Sequence, residues 1–372
     1  MIVPVNTRSL NSGEIPLSTS QAKRYSKILK QTILDDAEQT KEAIDFVQRW
    51  RALYAPATGQ CFQTLLECCK GVDGAIITYR LKRVSSIVQK IQRPNHNHLL
   101  NTLDDIGGCR VITKSIKDLR LIQKRIEDKI AGTSSEITKT KDYIDSPKSS
   151  GYRSCHLLTK QGSCERKYRV EIQLRTQLQH YWATALEVID EIEGREIKTT
   201  NTDVLLGNAD TRTRLYYNQL TSSLIASIEE SPTVPGTPKN IGDLVSEIET
   251  LPLSSEIISR LSRVYDDVLR LDEKHCAPED ACVFILQFLK DEQNLIVHSY
   301  ANNQTDESLS DYSRLEDEVF ENNKNGLIAP NQNIVLVHVN DPEKLKVAYP
   351  NYSANIKEYL KLITQNCPAL DN

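Results

Sequence analysis

The sequence predicts an α+β protein in which helices cover a mostly antiparallel or mixed β-sheet. Three observations carry this expectation. Apolar residues recur at three- and four-residue steps through roughly the first ninety positions, which is the helical period. Residues 109–113 and about 136–175 read instead as short strands separated by turn residues. Helical spacing then returns from about residue 176.

Taken in order, Ser20 offers a cap for a helix over about 20–49, with Ile28, Ile33, Leu34, Ala37, Ala43, Ile44 and Val47 as its apolar positions. Further helices are expected at about 57–70 and 79–92, ended by Arg93-Pro94-Asn95-His96-Asn97. Cys109 to Thr113 reads as a short strand. Residues 115–131 read as an amphipathic helix with Leu119, Ile122, Ile126 and Ile130 on one side. Strands at about 136–144, 152–160 and 167–175 precede a helix at 176–192. Residues 194–213 are polar and expected to be mobile. Ser231 to Pro238 places three prolines in eight residues and reads as a linker. A helix at 254–272, an apolar segment from Ala281 to Leu289, strands near 294–299 and 333–339, and a helix near 353–364 complete the chain.

At 372 residues the chain has room for two domains. No run approaches the roughly 18 apolar residues of a membrane span. The first residues, Met1 to Arg8, lack a charged segment followed by an apolar core, so a cytoplasmic location is expected. Nine cysteines, odd in number and without a framework, fit reduced thiols. The net charge of −4 is uneven: residues 270–372 carry 9 basic against 17 acidic side chains, leaving a balance of +4 in residues 1–269. A basic first part suits an anionic ligand, and an acidic tail could screen it. Two ordinary solvated surfaces would give the same count.

The chemistry concentrates in a few blocks. In Val170-Glu171-Ile172-Gln173-Leu174-Arg175 the period of two puts Glu171, Gln173 and Arg175 on one face of a strand. Such alternation more often marks a solvent-facing sheet side. A second carboxylate, Asp105, precedes the Gly107-Gly108 pair. Two hard oxygen ligands on separate strands are what a Mg²⁺ carrying nucleotide phosphates requires. Lys82, Ser86 and Lys90 recur at four-residue steps, so on a helix they would line one face as a cradle for a triphosphate. Arg80 could stack on a base. Spaced lysines are equally common on plain solvated helices. The loop 141–156 offers Gly151 for backbone freedom, Tyr152 as a stacking face, Lys141, Lys148 and Arg153 for charge, and His156 on the next strand.

Together these blocks resemble the synthetase domain of the RelA/SpoT-homologue family. The matching residues are Arg80, Lys82, Ser86 and Lys90, then Asp105-Ile106, Gly108 and Arg110, and Lys141-Asp142-Tyr143-Ile144. They continue through Pro147-Lys148, Gly151-Tyr152-Arg153-Ser154 and His156 to Glu171, Gln173 and Arg175-Thr176. The resemblance covers about residues 20–192. It implies a nucleotidyltransferase-like mixed sheet flanked by helices, and transfer of the β,γ-pyrophosphate of ATP to a ribose 3′-hydroxyl with release of AMP. By that resemblance Arg80, Lys82, Ser86, Lys90 and Arg110 bind ATP, and Asp105 and Glu171 are catalytic and hold Mg²⁺. Lys141, Lys148, Tyr152, Arg153 and His156 bind the acceptor, and Gln173 and Arg175 support the site. The Ser149-Ser150 and Cys155 positions depart from the family pattern, on the acceptor side.

The tail adds Tyr349-Pro350-Asn351-Tyr352. A Tyr-x-x-Tyr near a turn usually packs a core. After such a synthetase, however, it resembles the CapRel group of fused toxin–antitoxin small synthetases. That implies a toxin domain at 1–272 and a small C-terminal α/β regulatory domain, antitoxin-like with a degenerate zinc finger, at 273–372. Tyr349 and Tyr352 would be autoinhibitory, the acceptor would be the 3′-CCA end of tRNA, and a capsid-like phage protein would be the trigger acting on a monomer. Translation inhibition in antiviral defence would follow. His275, Cys276 and Cys282 lack a second Cys pair and make no convincing zinc site. The alternatives are a (p)ppGpp or related alarmone synthetase acting on guanosine nucleotides, and a catalytically degenerate module that binds phage protein or RNA.

Overall fold

A computed structural model describes residues 17–31, 37–93, 96–162, 166–193, 209–266, 270–271, 281–289, 294–322, 332–339 and 354–370. The first three helices are α1 (Thr19–Gln31), α2 (Ala37–Ala52) and α3 (Ala55–Cys68), the last opened by Pro56. They lead into β1 (Ile76–Leu81), α4 (Val84–Gln92), β2 (Gly107–Thr113) and α5 (Ile116–Ala131). Ser115 caps α5 by accepting a hydrogen bond from the Asp118 amide at 3.1 Å. Next come β3 (Glu136–Asp142), β4 (Cys155–Gly162) and β5 (Lys167–Thr176), then α6 (Gln177–Glu193), α7 (Ala209–Ile228), α8 (Ile241–Thr250) and α9 (Pro252–Asp266). The C-terminal part contributes β6 (Arg270–Leu271), β7 (Ala281–Leu289), β8 (Asn294–Ala301), α10 (Thr305–Asn322), β9 (Gln332–Val339) and α11 (Ala354–Asn366).

The strands among the described residues join one mixed sheet of order β3-β4-β5-β2-β1-β9-β7-β8-β6. The pair β2–β5 is parallel, and β1 runs antiparallel to both β2 and β9. The expected α+β class with a helix-flanked mixed sheet is therefore what the chain adopts. The strands after residue 272 extend the same sheet through β9, which pairs with β1 from Ile76 to Tyr79.

The alternation in β5 sorts its two faces. Val170, Ile172 and Leu174 enter the main core with Phe62 and Leu65 of α3 and Leu119, Ile122, Ile126 and Ile130 of α5. Leu309, Tyr312, Leu315 and Val319 of α10 complete that core beside Tyr79. Gly107 is required where α3 presses on β2, because a Cβ there would stand 2.1 Å from Thr58 Oγ1. A second cluster gathers α6–α9 and α11 around Trp182, Tyr217 and Tyr359, and Tyr152 packs into it. A third, built by α1, α2 and α4, includes Leu81, Leu103 and Ile106.

Three expectations need correcting. The stretch 79–92 is not one helix: β1 ends at Leu81 and α4 starts at Val84. The run Ile76-Ile77-Thr78-Tyr79, β-branched and aromatic, favours a buried strand, and it is fully inside. The proline segment 231–238 is not a free linker. Val234 is buried, its amide donates to Ser223 Oγ at 2.9 Å, and the Pro232 carbonyl accepts from Arg153. The polar stretch 194–213 contains the start of α7 from Ala209, and its residues 194–208 lie outside those described. Helices α7, α8 and α10 were not anticipated. No helix among the described residues is long and apolar enough to cross a membrane.

Candidate active site

The face of β5 opposite the core carries Glu171, Gln173 and Arg175, and sheet register determines their neighbours. Glu171 lies level with Gly108 of β2, which lies level with Arg80 of β1. Gln173 lies level with Arg110 on one side and His156 on the other. Lys141 of β3 faces His156 across the next pairing. Residues far apart in sequence thus form one polar patch. Gly108 leaves its middle without a side chain.

At one end Asp105 is held between two lysines. Its Oδ2 lies 2.8 Å from Lys90 Nζ and 3.2 Å from Lys82 Nζ. Lys82 is not on the helix, as its spacing suggested. It follows β1, its amide bonds to the Ile106 carbonyl at 2.8 Å, and its side chain converges with that of Lys90 from α4. Burial opposes the Asp105 charge, but the two ammonium groups outweigh it and hold the carboxyl well below its usual range. Burial lowers the Lys82 ammonium. Ser86 sits half-buried one turn into α4, and Arg80 is exposed.

At the other end each oxygen of the Glu171 carboxylate has one partner. Its Oε1 pairs with His156 Nδ1 at 2.8 Å, and its Oε2 accepts from Gln173 Nε2 at 2.8 Å. Burial raises its pKa, yet the His156 hydrogen bond and charge bring it down to about 2. Burial lowers His156, but the Tyr152 hydroxyl and Glu171 raise it further. The Tyr152 hydroxyl lies 2.9 Å from His156 Nε2 and accepts from Arg175. Arg110 donates to Gln173 at 3.4 Å, and Arg175 Nη2 donates to the same oxygen at 3.2 Å. Burial, then the charges of Arg175 and Arg80, lower Arg110 to about 9. Three guanidinium groups repelling one another, with the Arg175 Nε buried and unpartnered, make a place where an anion is stabilised.

The loop between β3 and β4 is fixed by Gly151. Its φ is +87°, and a Cβ would stand 2.7 Å from the Asn218 carbonyl and 2.9 Å from Trp182. Tyr152 is buried rather than presented as an open stacking face. Lys148 Nζ lies 5.0 Å from its ring centroid and 4.4 Å from that of Tyr143, and the Arg175 guanidinium lies 5.0 Å from Tyr152. Tyr143 belongs to this cage, although sequence reasoning gave it no role. Arg153 does not join the patch. It is buried, and its guanidinium bonds to Ser222 Oγ at 3.0 Å, to the Ile144 carbonyl at 3.2 Å and to Pro232. It braces the loop instead of meeting an acceptor. Tyr349, Tyr352, His275 and Cys276 lie outside the described residues.

The donor set fits a divalent cation. Asp105 Oδ1 is buried with no hydrogen-bond partner, and the charges of Asp105 and Glu171 oppose each other. No cluster of three or more His, Cys, Asp or Glu exists among the described residues, so substrate phosphates and water would have to complete a coordination shell.

Residues 79–188 match the family model described as "Region found in RelA / SpoT proteins". The chain is 34% identical over 113 residues to the GTP pyrophosphokinase YjbM of Bacillus subtilis, covering 29% of this chain and 52% of that protein. It is 33% identical over 116 residues to YwaC of the same organism, covering 28% and 52%. The chain therefore spans about half the length of the curated relatives it matches. Among solved structures it is similar to small alarmone synthetase 1 of B. subtilis, at 24% identity and a TM-score of 0.36 over 49% of this chain and 93% of that one. The pppGpp-bound form of that protein aligns at 25% identity and a TM-score of 0.31, over 41% and 73%. From Arg80 to Arg175, the polar patch lies wholly within the segment that matches the RelA/SpoT family model.

Proposed function

We propose that the chain is an ATP-dependent pyrophosphotransferase, and that its acceptor is the 3′-CCA end of tRNA. The observation that carries the first part is the pairing of two half-buried carboxylates with two cation sets across Gly108: Lys82 and Lys90 at Asp105, and Arg110 and Arg175 beside Glu171. Lys82, Lys90, Ser86 and Arg110 bind the triphosphate, and Arg80 stacks on adenine. Lys141, Lys148, Tyr152 and His156 receive the acceptor nucleotide. Mg²⁺, held by Asp105 and Glu171, would neutralise phosphate charge. In the reaction the acceptor hydroxyl oxygen forms a bond to the β-phosphorus. The bond from that phosphorus to the bridging oxygen breaks, its electron pair leaves with AMP, and the hydroxyl proton passes to solvent water. A carboxylate at about 2 is a weak proton sink, so Glu171 accepts a hydrogen bond from the hydroxyl and orients it.

The same reading makes the protein an autoinhibited cytoplasmic toxin. Residues 1–272 are the catalytic unit and 273–372 the inhibitory one. Tyr349 and Tyr352 occupy the ATP site until a phage protein draws the tail away, which stops the block and lets translation be poisoned. Residues 340–353 connect β9, the strand beside the Arg80 strand, to α11, which packs on α6. Covalent linkage within one chain gives a high effective concentration. A guanosine nucleotide acceptor is the second reading, favoured by the printed names of YjbM and YwaC.

The test uses the full chain carrying Tyr352→Ala, with γ-labelled ATP and either bulk tRNA or GDP and GTP. Label on tRNA is expected, with little from the unsubstituted chain. Label on guanosine nucleotides alone selects the second reading, and label on neither means a binding module. Equal activity with and without the substitution removes the inhibitory role of the tail.

A further inference from the structure

The end of β1 is held by two elements from opposite ends of the chain. Arg51, on α2, is buried; its Nε donates to the Lys82 carbonyl at 2.7 Å and its Nη2 to the Leu81 carbonyl at 3.3 Å. The same Nη2 donates to Glu316 Oε2, on α10, at 2.6 Å. Glu316 Oε1 accepts from the Tyr312 hydroxyl at 2.8 Å, and that hydroxyl accepts the Leu81 amide at 3.3 Å. The ladder between β1 and β9 runs only to Tyr79. Beyond it, Tyr312 and Arg51 take up the backbone groups of Leu81 that a strand would have used.

We propose that Arg51, Tyr312 and Glu316 form a positioning relay through which α10, in the acidic C-terminal part, sets the strand end that aims Arg80 and Lys82 at an adenosine nucleotide. The inference rests on the ATP site proposed above. An ion pair in a core is seldom worth its desolvation against apolar packing. Here the guanidinium is divided between Glu316 and two carbonyls flanking the Lys82 α-carbon, so moving α10 alters the backbone from which the Lys82 side chain reaches Asp105. Burial opposes the Arg51 charge and Glu316 more than restores it, so the cation persists. Through α10 the C-terminal part thereby supports the strand end at the nucleotide site, besides carrying the tyrosines proposed to block it.

The test uses the full-length Tyr352→Ala chain and α,β-methylene ATP, titrated by calorimetry. Glu316→Gln and Tyr312→Phe should each weaken analogue binding roughly tenfold, as loss of an outer supporting bond does. Leu315→Ala, a core truncation on the same helix, should lower the thermal midpoint while leaving affinity within about twofold. Equal affinity in the parent, Glu316→Gln and Tyr312→Phe overturns the relay, as does an equal loss in Leu315→Ala. Amide exchange gives a second readout without nucleotide. The Leu81 amide should exchange roughly tenfold faster in Tyr312→Phe and Glu316→Gln than in the Leu315→Ala chain. If the parent binds no analogue, the ATP-site reading fails and the exchange result alone decides the relay: unchanged Leu81 exchange overturns it.

Discussion

The two halves of the polar patch are built in opposite ways. Around Asp105 the cations are pinned to a carboxylate, and Arg80 stands exposed, so a triphosphate bound as proposed would have to compete for Lys82 and Lys90. Around Glu171 the groups are locked to each other in a buried chain through His156, Tyr152, Arg175 and Gln173. Under the proposed function the first half would exchange partners on binding, whereas the second is already hydrogen-bonded in place. This difference teaches where substitutions act: on the Asp105 side they change nucleotide affinity, and on the Glu171 side they change geometry and turnover.

The largest expected effect follows from breaking the preorganised half. Glu171→Gln should lower the rate of label transfer by about 10²–10³-fold with little change in KM for ATP. A variant of near-parental rate would remove Glu171 from the reaction. Next, Gly151→Ala should cost about 3 kcal/mol, since both its φ and the Asn218 and Trp182 contacts oppose a Cβ; a urea titration reads it, and a loss below about 1 kcal/mol would contradict the packing. On the exchanging half, Lys82→Met and Lys90→Met should each raise KM for ATP roughly tenfold. Lys148→Ala should raise KM for the acceptor instead. Failure of the two parameters to separate would merge the halves.

The smallest effect is on stability against pH. Glu171 is depressed from 4.5 to about 2, so its contribution is complete above about 4.5 and is lost as pH falls toward about 2. His156 is raised, so its contribution is present below its unfolded value of 6.5 and is lost as pH rises through the folded value. Urea midpoints of the parent should fall at both ends, and Glu171→Gln should flatten the acid side. A Glu171→Gln chain with the parent's acid slope would contradict the depressed carboxylate.

Much of the site was legible because a strand period of two leaves no freedom: once Glu171, Gln173 and Arg175 share a face, register supplies Arg110 and His156. The two lysines proposed to bind phosphate were legible by spacing but for the wrong reason. A four-residue step suggested one helix, whereas Lys82 leaves a strand and meets Lys90 at Asp105. Arg153 looked like Lys148 in sequence, since nothing local distinguishes a bracing guanidinium from one meeting a ligand. Helix α10 carried a readable stripe, Leu309, Tyr312, Leu315 and Val319, hidden among acidic residues. The pairing of Arg51 with Glu316 spans 265 residues, and no pattern in one sequence announces it.

The central claim is that the two halves meet at the β-phosphorus of ATP. The direct measurement follows α-labelled and γ-labelled ATP in parallel with the full-length Tyr352→Ala chain and quantifies AMP against labelled acceptor. The account predicts AMP and transferred γ-label in equal amounts, both abolished in Glu171→Gln. ADP released in step with a labelled acceptor, or AMP formed without any labelled acceptor, would contradict it.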